Sequence, residues 1–281
     1  MVSVAERLSH EMHERGARGG RYVYAARSRR AGGISVGVNL DPQATCNFGC
    51  VYCEVIPRAG SVGKGGRPPI DPAEVARELG EELGRWPAPG PGVDTVKDIA
   101  FAGDGEPSTF PGFFRLAGLL LDARDARGFA SVPLVLITNG SGLGRPEMVA
   151  AHDLFAARGG TFWIKLDAGT EGWYREICRT EVPFDRVLDN LRAAARRHPV
   201  VVQSMFLSWH GRDPTKGEVA AWTGRLGDVV AAGGRLALVQ VYTVARATAE
   251  PGAGALAAGV LEGIAEAARA ALPSVPVAVF P

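Results

Sequence analysis

Residues 45–53 read Thr45-Cys46-Asn47-Phe48-Gly49-Cys50-Val51-Tyr52-Cys53. Three thiols spaced C-x3-C-x2-C cannot all pair with one another, and Cys178 is the one other cysteine of the chain. Such a trio suits a metal centre. Cysteine thiolates are the usual ligands of iron–sulfur clusters, and three protein ligands leave one metal corner open for chemistry. Zinc is the rival reading. A closed structural zinc site wants four ligands, and His10 and His13, the candidates for a fourth, lack finger-like spacing. The spacing favours iron–sulfur over zinc, and over cysteines that merely fill core space.

Along the chain, strand-like and helix-like segments alternate. Ile34–Leu40 reads as a strand, and so do residues 97–102, 132–138, 161–167, 199–207 and 236–244. Helix patterns cover 71–86, 110–127, 146–158, 184–197, 216–232 and 255–272, the first with Asp71 as N-cap and Pro72 in its first turn. Residues 275–280 read as one more short strand, 173–179 as a short helix, and the Gly-rich stretch 59–69 as a mobile segment or a lid. Apolar strands alternating with helices predict an α/β fold of parallel strands with helices outside. Six βα units suit a partial (β/α)6 barrel, in which ligands gather at the carboxyl ends of the strands. The expected organisation is an N-terminal arm, residues 1–30, followed by one barrel domain, residues 31–281.

The chain has 281 residues, 31 basic against 30 acidic, for a net charge of +1. That balance argues against a strongly basic nucleic-acid binder. A local patch remains at Arg18, Arg21, Arg27, Arg29 and Arg30, whose simpler reading is a solvated arm. No apolar run approaches the ~20 residues of a membrane helix, so no membrane partner is expected. The polar N-terminus is not a secretory signal. With clustered free thiols, this points to a reducing cytoplasm.

The chain resembles the radical S-adenosylmethionine (SAM) superfamily, whose hallmark is C-x3-C-x-aromatic-C. Gly103-Asp104-Gly105-Glu106-Pro107 is similar to that family's "GGEP" segment, with Asp104 in place of the first glycine of the strict pair. Thr138-Asn139-Gly140 is similar to its "TNG" segment, and Lys165-Leu166-Asp167-Ala168-Gly169 to "SLDG", with Lys165 in place of serine. The resemblance implies a [4Fe–4S] cluster on Cys46, Cys50 and Cys53, with SAM chelated at the unique iron. Tyr52 would lie against the adenine. Gly103, Asp104, Gly105 and Glu106 would bind the amino group of SAM, and Asn139 would follow in the same cofactor site. Lys165 would reach the ribose or carboxylate, with Asp167 either contacting SAM or bonding within its own loop. Gln203 and Gln240, polar within apolar runs, would meet cofactor or substrate, or be satisfied core amides.

The nearest branch is the stand-alone iron–sulfur oxidoreductases similar to wyosine-type tRNA base synthases. The likeness rests on residues 35–42, 51–54, 203–206 and 241–246. Those synthases carry a second cysteine set, which Cys178 alone cannot supply. The implied activity is reductive cleavage of SAM to a 5′-deoxyadenosyl radical that abstracts hydrogen from a substrate, driven by a flavodoxin- or ferredoxin-type reductant. A small biosynthetic molecule is the first choice of substrate and a tRNA the second. A non-catalytic iron–sulfur or zinc module is the alternative of another class. Cys178 reads as a small buried hydrophobe or as a hydrogen-atom donor, and His210 as a loop residue or as an acid or base at the active end.

Overall fold

The computed structural model describes residues 20–41, 46–55, 69–248 and 250–281. His10, His13, Arg18 and nearly all of the Gly-rich 59–69 stretch lie outside them. The chain forms two compact units, one of residues 1–43, 66–137 and 145–162, the other of 44–65, 138–144 and 163–281. Among the described residues no helix is long and apolar enough to cross a membrane.

In the first unit, β2 (Gly33–Val38), β3 (Val96–Phe101) and β4 (Leu134–Thr138) run parallel in that order. Parallel neighbours need long crossovers, and α1 (Pro72–Leu83) and α2 (Phe113–Ala126) lie in those crossovers. The expected cap is present: the Asp71 carboxylate accepts from Ala73 N–H, and Pro72 opens α1. The core includes Phe101 and Phe113, their rings 4.7 Å apart. Phe155 of α3 (Pro146–Ala157) and Phe162 at the start of β5 (Thr161–Lys165) extend it, 5.0 Å apart.

In this unit one strand was not expected. Val23–Ser28 forms β1 and pairs antiparallel with β2, from Val23↔Val38 to Ser28↔Gly33. The arginines around it masked the signal, although Tyr22, Val23, Ala25 and Ala26 are buried. Glu78 of α1 fixes the strand's entry by accepting from the N–H groups of Arg21, Tyr22 and Val23 at 3.2, 2.9 and 3.2 Å. Arg27 is engaged as well: its guanidinium donates to Asp94 at 2.6 Å and to the Val93 carbonyl at 3.3 Å.

Asp98 sits in the same sheet opposite Ser35, which donates to it, and is 4% exposed. Burial pushes its carboxyl up to about 6, against the opposing pull of the Ser35 bond and Arg30. The folded protein therefore holds this proton more tightly than the unfolded chain, where a carboxyl titrates near 3.9. The stability gained by keeping Asp98 neutral is full below about pH 4 and is lost as pH rises through about 6, a swing of roughly 3 kcal/mol. Asp98→Asn is expected to raise Tm at pH 7.5 and leave it unchanged at pH 4. Thermal melts at the two pH values check this, and an equal shift at both contradicts it.

In the second unit, β5, β6 (Val200–Met205), β8 (Leu236–Tyr242) and β10 (Val277–Phe280) are parallel in that order. The helices are α4 (Glu171–Cys178), α5 (Phe184–Arg197), α6 (Lys216–Ala231) and α7 (Ala258–Ala271). A short antiparallel ribbon joins β7 (Ser208–Trp209) to β9 (Ala253–Gly254). Trp222 of α6 is fully buried, meets Phe206 edge-on at 4.9 Å, and donates its indole N–H to Ser204 at 2.9 Å. The result is the α/β class with parallel strands that the alternation predicts.

Candidate cofactor site

The first group of candidate residues sits in the first unit, where β2 and β3 end. Gly103, Asp104, Gly105 and Glu106 form the turn after β3, and with Asn39 and Asp41 they line one recess. Gly103 has φ +148°, and a Cβ there would stand 2.7 Å from the Asn39 side chain. At Gly105 a Cβ would stand 2.5 Å from the Asp41 carboxylate. Both glycines are needed because side chains from the β2 end occupy the space a substituent would take. Glu106 is 3% exposed and one of its oxygens accepts from Ser108 N–H at 2.9 Å, capping the short 3-10 turn Pro107–Thr109. Three carboxylates and no Lys, Arg or His line this recess, which suits a cationic ligand group.

The cysteine loop belongs to the second unit and is held from two sides. The last carbonyls of a helix lack partners within it. Here the carbonyls of Ile177 and Cys178, closing α4, accept from Val51 N–H at 2.9 Å and Gly49 N–H at 3.1 Å. Arg179 then turns the chain with φ 45°, and Thr180 donates to the Asn47 carbonyl at 2.9 Å. On the other side, Asn139 donates to Asn47 at 3.0 Å, and Asn47 donates to Ser141 at 2.9 Å. Gly140 adopts φ 82°, so the Thr-Asn-Gly segment is a tight turn that presents Asn139 to the loop.

The three thiols are half-buried on this loop. Among the described residues no three His, Cys, Asp or Glu side chains already converge as a metal site. Phe48 N–H donates to Cys46 Sγ at 3.4 Å. A hydrogen bond from Cys178 pulls the Cys50 thiol below its ordinary value against the effect of burial, with help from the Lys165 charge. The same bond and burial push Cys178 well up. Cys178 therefore lies beside a cluster candidate, a proximity that its place in the sequence did not disclose.

Lys165, Asp167 and Tyr52 form a buried network in the same unit. Asp167 accepts from the Tyr52 hydroxyl at 2.5 Å and Met205 N–H at 2.8 Å, and pairs with Lys165 Nζ at 3.2 Å. Lys165 donates to the Tyr242 hydroxyl at 2.7 Å and lies 4.8 Å above the Tyr52 ring. Burial alone would lower the Lys165 ammonium, but Asp167 and Tyr242 outweigh it and hold the group well above its usual range. Burial and then Asp167 push the Tyr52 hydroxyl up. Lys165 thus remains a cation, and Asp167 holds Tyr52 in place.

Gln203 and Gln240 face each other in register on β6 and β8. Gln203 donates to Gln240 at 2.6 Å, while its own carbonyl oxygen is buried with no hydrogen-bond partner among the described residues. His210 takes φ 49°, its ring tilted against Trp209 with centroids 4.0 Å apart, and its backbone N–H donates to the Gly252 carbonyl. Sequence reasoning missed Asn39, Asn47 and Glu218. The last accepts from Gly169 N–H and the Thr170 hydroxyl, both at 2.5 Å. An asparagine closing a strand was the one available signal for Asn39.

The chain is 28% identical over 162 residues to "GTPase Obg" of Brachyspira hyodysenteriae, covering 57% of this chain and 21% of that protein. It is 25% identical over 173 residues to "UPF0026 protein MJ1312" of Methanocaldococcus jannaschii, covering 59% of this chain and 47% of that one. The chain thus spans less than half the length of either relative. A radical SAM methyltransferase from Sphaerobacter thermophilus shares its fold, with a TM-score of 0.62 at 16% identity over 92% of this chain and 68% of the other, so the architecture is the partial barrel of that class. The family model described as the radical SAM superfamily matches residues 40–211, more than half the chain. That stretch contains the cysteine loop, the Gly-Asp-Gly-Glu-Pro turn and the Lys165 network; the chain belongs to the radical SAM superfamily, enzymes that use a [4Fe–4S] cluster and S-adenosylmethionine.

Proposed function

We propose that Cys46, Cys50 and Cys53 hold the cluster, that the 103–107 turn receives the amino group of SAM, and that the enzyme acts on a small molecule. The observation that carries this reading is the cysteine loop tied to both α4 and the Asn139 turn. The residues fit the cluster: an N–H already donates to Cys46 Sγ, and Cys50 is biased toward the thiolate that a metal requires. When bound on Cys46, Cys50 and Cys53, the cluster would supply the electron for reductive cleavage of SAM, and with it the hydrogen-abstracting chemistry.

The chain's own groups do the rest. Glu106, fixed by Ser108 N–H, offers its carboxylate to an ammonium, a charge-assisted bond stronger than a neutral one. Lys165 supplies a lasting positive charge for a carboxylate, as a point charge. Asp167 orients the Tyr52 ring that precedes Cys53. Gln203 and Gln240 form a buried amide pair, and the open oxygen of Gln203 is an acceptor for a substrate donor. A flavodoxin- or ferredoxin-type protein is the proposed electron donor, and a reducing cytoplasm is the proposed compartment, which suits clustered cysteine thiols.

A small molecule is favoured over tRNA because the chain is near neutral and Arg27, one of the few clustered cations, is committed to Asp94. The anaerobic, cluster-loaded enzyme is expected to release 5′-deoxyadenosine faster with a low-mass cell extract than alone, and no faster with total tRNA. Stimulation by tRNA, with binding that weakens steeply as salt rises, is the result that overturns this choice.

A further inference from the structure

We propose that Asn39 is a positioning residue for SAM. Its side-chain amide joins the end of β2 to the turn that receives the cofactor's amino group, and this rests on the reading of that turn given above. Asn39 is 4% exposed and uses both ends of its amide. Its Oδ1 accepts from Asp41 N–H at 3.0 Å and from Asp104 N–H at 3.2 Å. Its Nδ2 donates to Asp104 Oδ2 at 2.8 Å. The same side chain lies under Gly103, where a Cβ would stand 2.7 Å away. One amide therefore sets the position of Asp41, Gly103 and Asp104 together.

Asp104 replaces a glycine of the stricter family segment. A glycine there has no side chain to hold, and its backbone is free. In this chain the substituted carboxylate is held by an amide donor, so the turn gains a fixed negative charge on the recess that also bears Asp41 and Glu106. Asn39 need not touch the cofactor. It sets the turn that does.

The polarity of the pair can be exchanged. Asn39→Asp keeps the acceptor for the two N–H groups but sets two carboxylates against each other. Adding Asp104→Asn restores a donor–acceptor pair of the same size and net charge. The experiment is equilibrium dialysis of labelled SAM with the anaerobic holoenzyme, together with iron content and Tm. Asn39→Asp is expected to weaken SAM binding about 10-fold or more, the scale of one charge-assisted hydrogen bond. The exchanged double variant is expected to return to within about 3-fold of wild type, with iron content unchanged. Should Asn39→Asp fold poorly, the double variant decides. Wild-type affinity in the single variant, or no recovery in the double variant, overturns the proposal. Glu106→Gln separates the two readings: weakened binding there with wild-type binding in Asn39→Asp sinks the role of Asn39 alone. Unchanged binding in Glu106→Gln sinks the reading of the turn, and the role of Asn39 with it.

Discussion

Cys50→Ala is expected to fold, to lose most of its iron, and to release no 5′-deoxyadenosine above background when reduced with SAM. The fold should survive because the bonds that hold the loop are backbone bonds. Gly49 N–H to the Cys178 carbonyl and Val51 N–H to the Ile177 carbonyl are untouched by the substitution. Cys50 is half-buried, so trimming its sulfur costs about 1 kcal/mol of packing. Chemistry has no such reserve. Loss of an outer partner of a metal ligand costs about 10- to 100-fold, and loss of one of three ligands should exceed that. Cys178→Ala is the graded comparison: it removes the hydrogen-bond partner of Cys50 but no proposed ligand, and should lose less iron than Cys50→Ala. Iron content with product release, measured side by side, checks both. Equal release from wild type and Cys50→Ala removes Cys50 from the cluster.

Gly169→Ala should be the most damaging small substitution in the second unit. Its Cβ would stand 2.1 Å from Trp222 N and 2.6 Å from the Glu218 carbonyl, both backbone atoms of α6 that cannot swing aside. Overpacking of this kind costs about 3 kcal/mol, at the upper end of the usual range, or a fall in Tm of roughly 6–12 °C at this chain length. The site should feel it too. Gly169 and Thr170 bond to Glu218 at the start of α4, and the far end of α4 holds the cysteine loop. Iron retention is therefore expected to drop along with Tm. Gly172, the second residue of α4, has nothing within 4 Å of a Cβ built there, and Gly172→Ala should be neutral or stabilise by up to about 1 kcal/mol. Similar Tm values for the two variants would contradict the tight contact at Gly169.

The features legible in the sequence are short-range ones. Cysteine spacing, the Asp71 cap with Pro72, and the alternation of apolar runs each depend on residues a few positions apart. These led to the helices, the parallel strands and the family. The strand Val23–Ser28 escaped because its signal is carried by burial against α1 and pairing with β2, while the basic residues Arg21, Arg27, Arg29 and Arg30 in and around it suggested a solvated arm. The basic patch changed meaning for a similar reason: Asp94, 67 residues beyond Arg27, supplies its partner.

From the order of residues alone came the kind of chemistry: three thiols on one loop, glycines at a strand end, and a lysine at another. Those signals are local, because a motif is a chemical arrangement written into adjacent positions. Packing alone established that Asn39 grips Asp104, that α4 brings Cys178 to Cys50, and that Asp167 is committed to Tyr52 and Lys165. Each of these pairs lies far apart in the chain except Lys165 and Asp167. Which polar groups become neighbours follows from how strands and helices bury their apolar faces, and periodicity along the chain says which face is buried without saying what it meets.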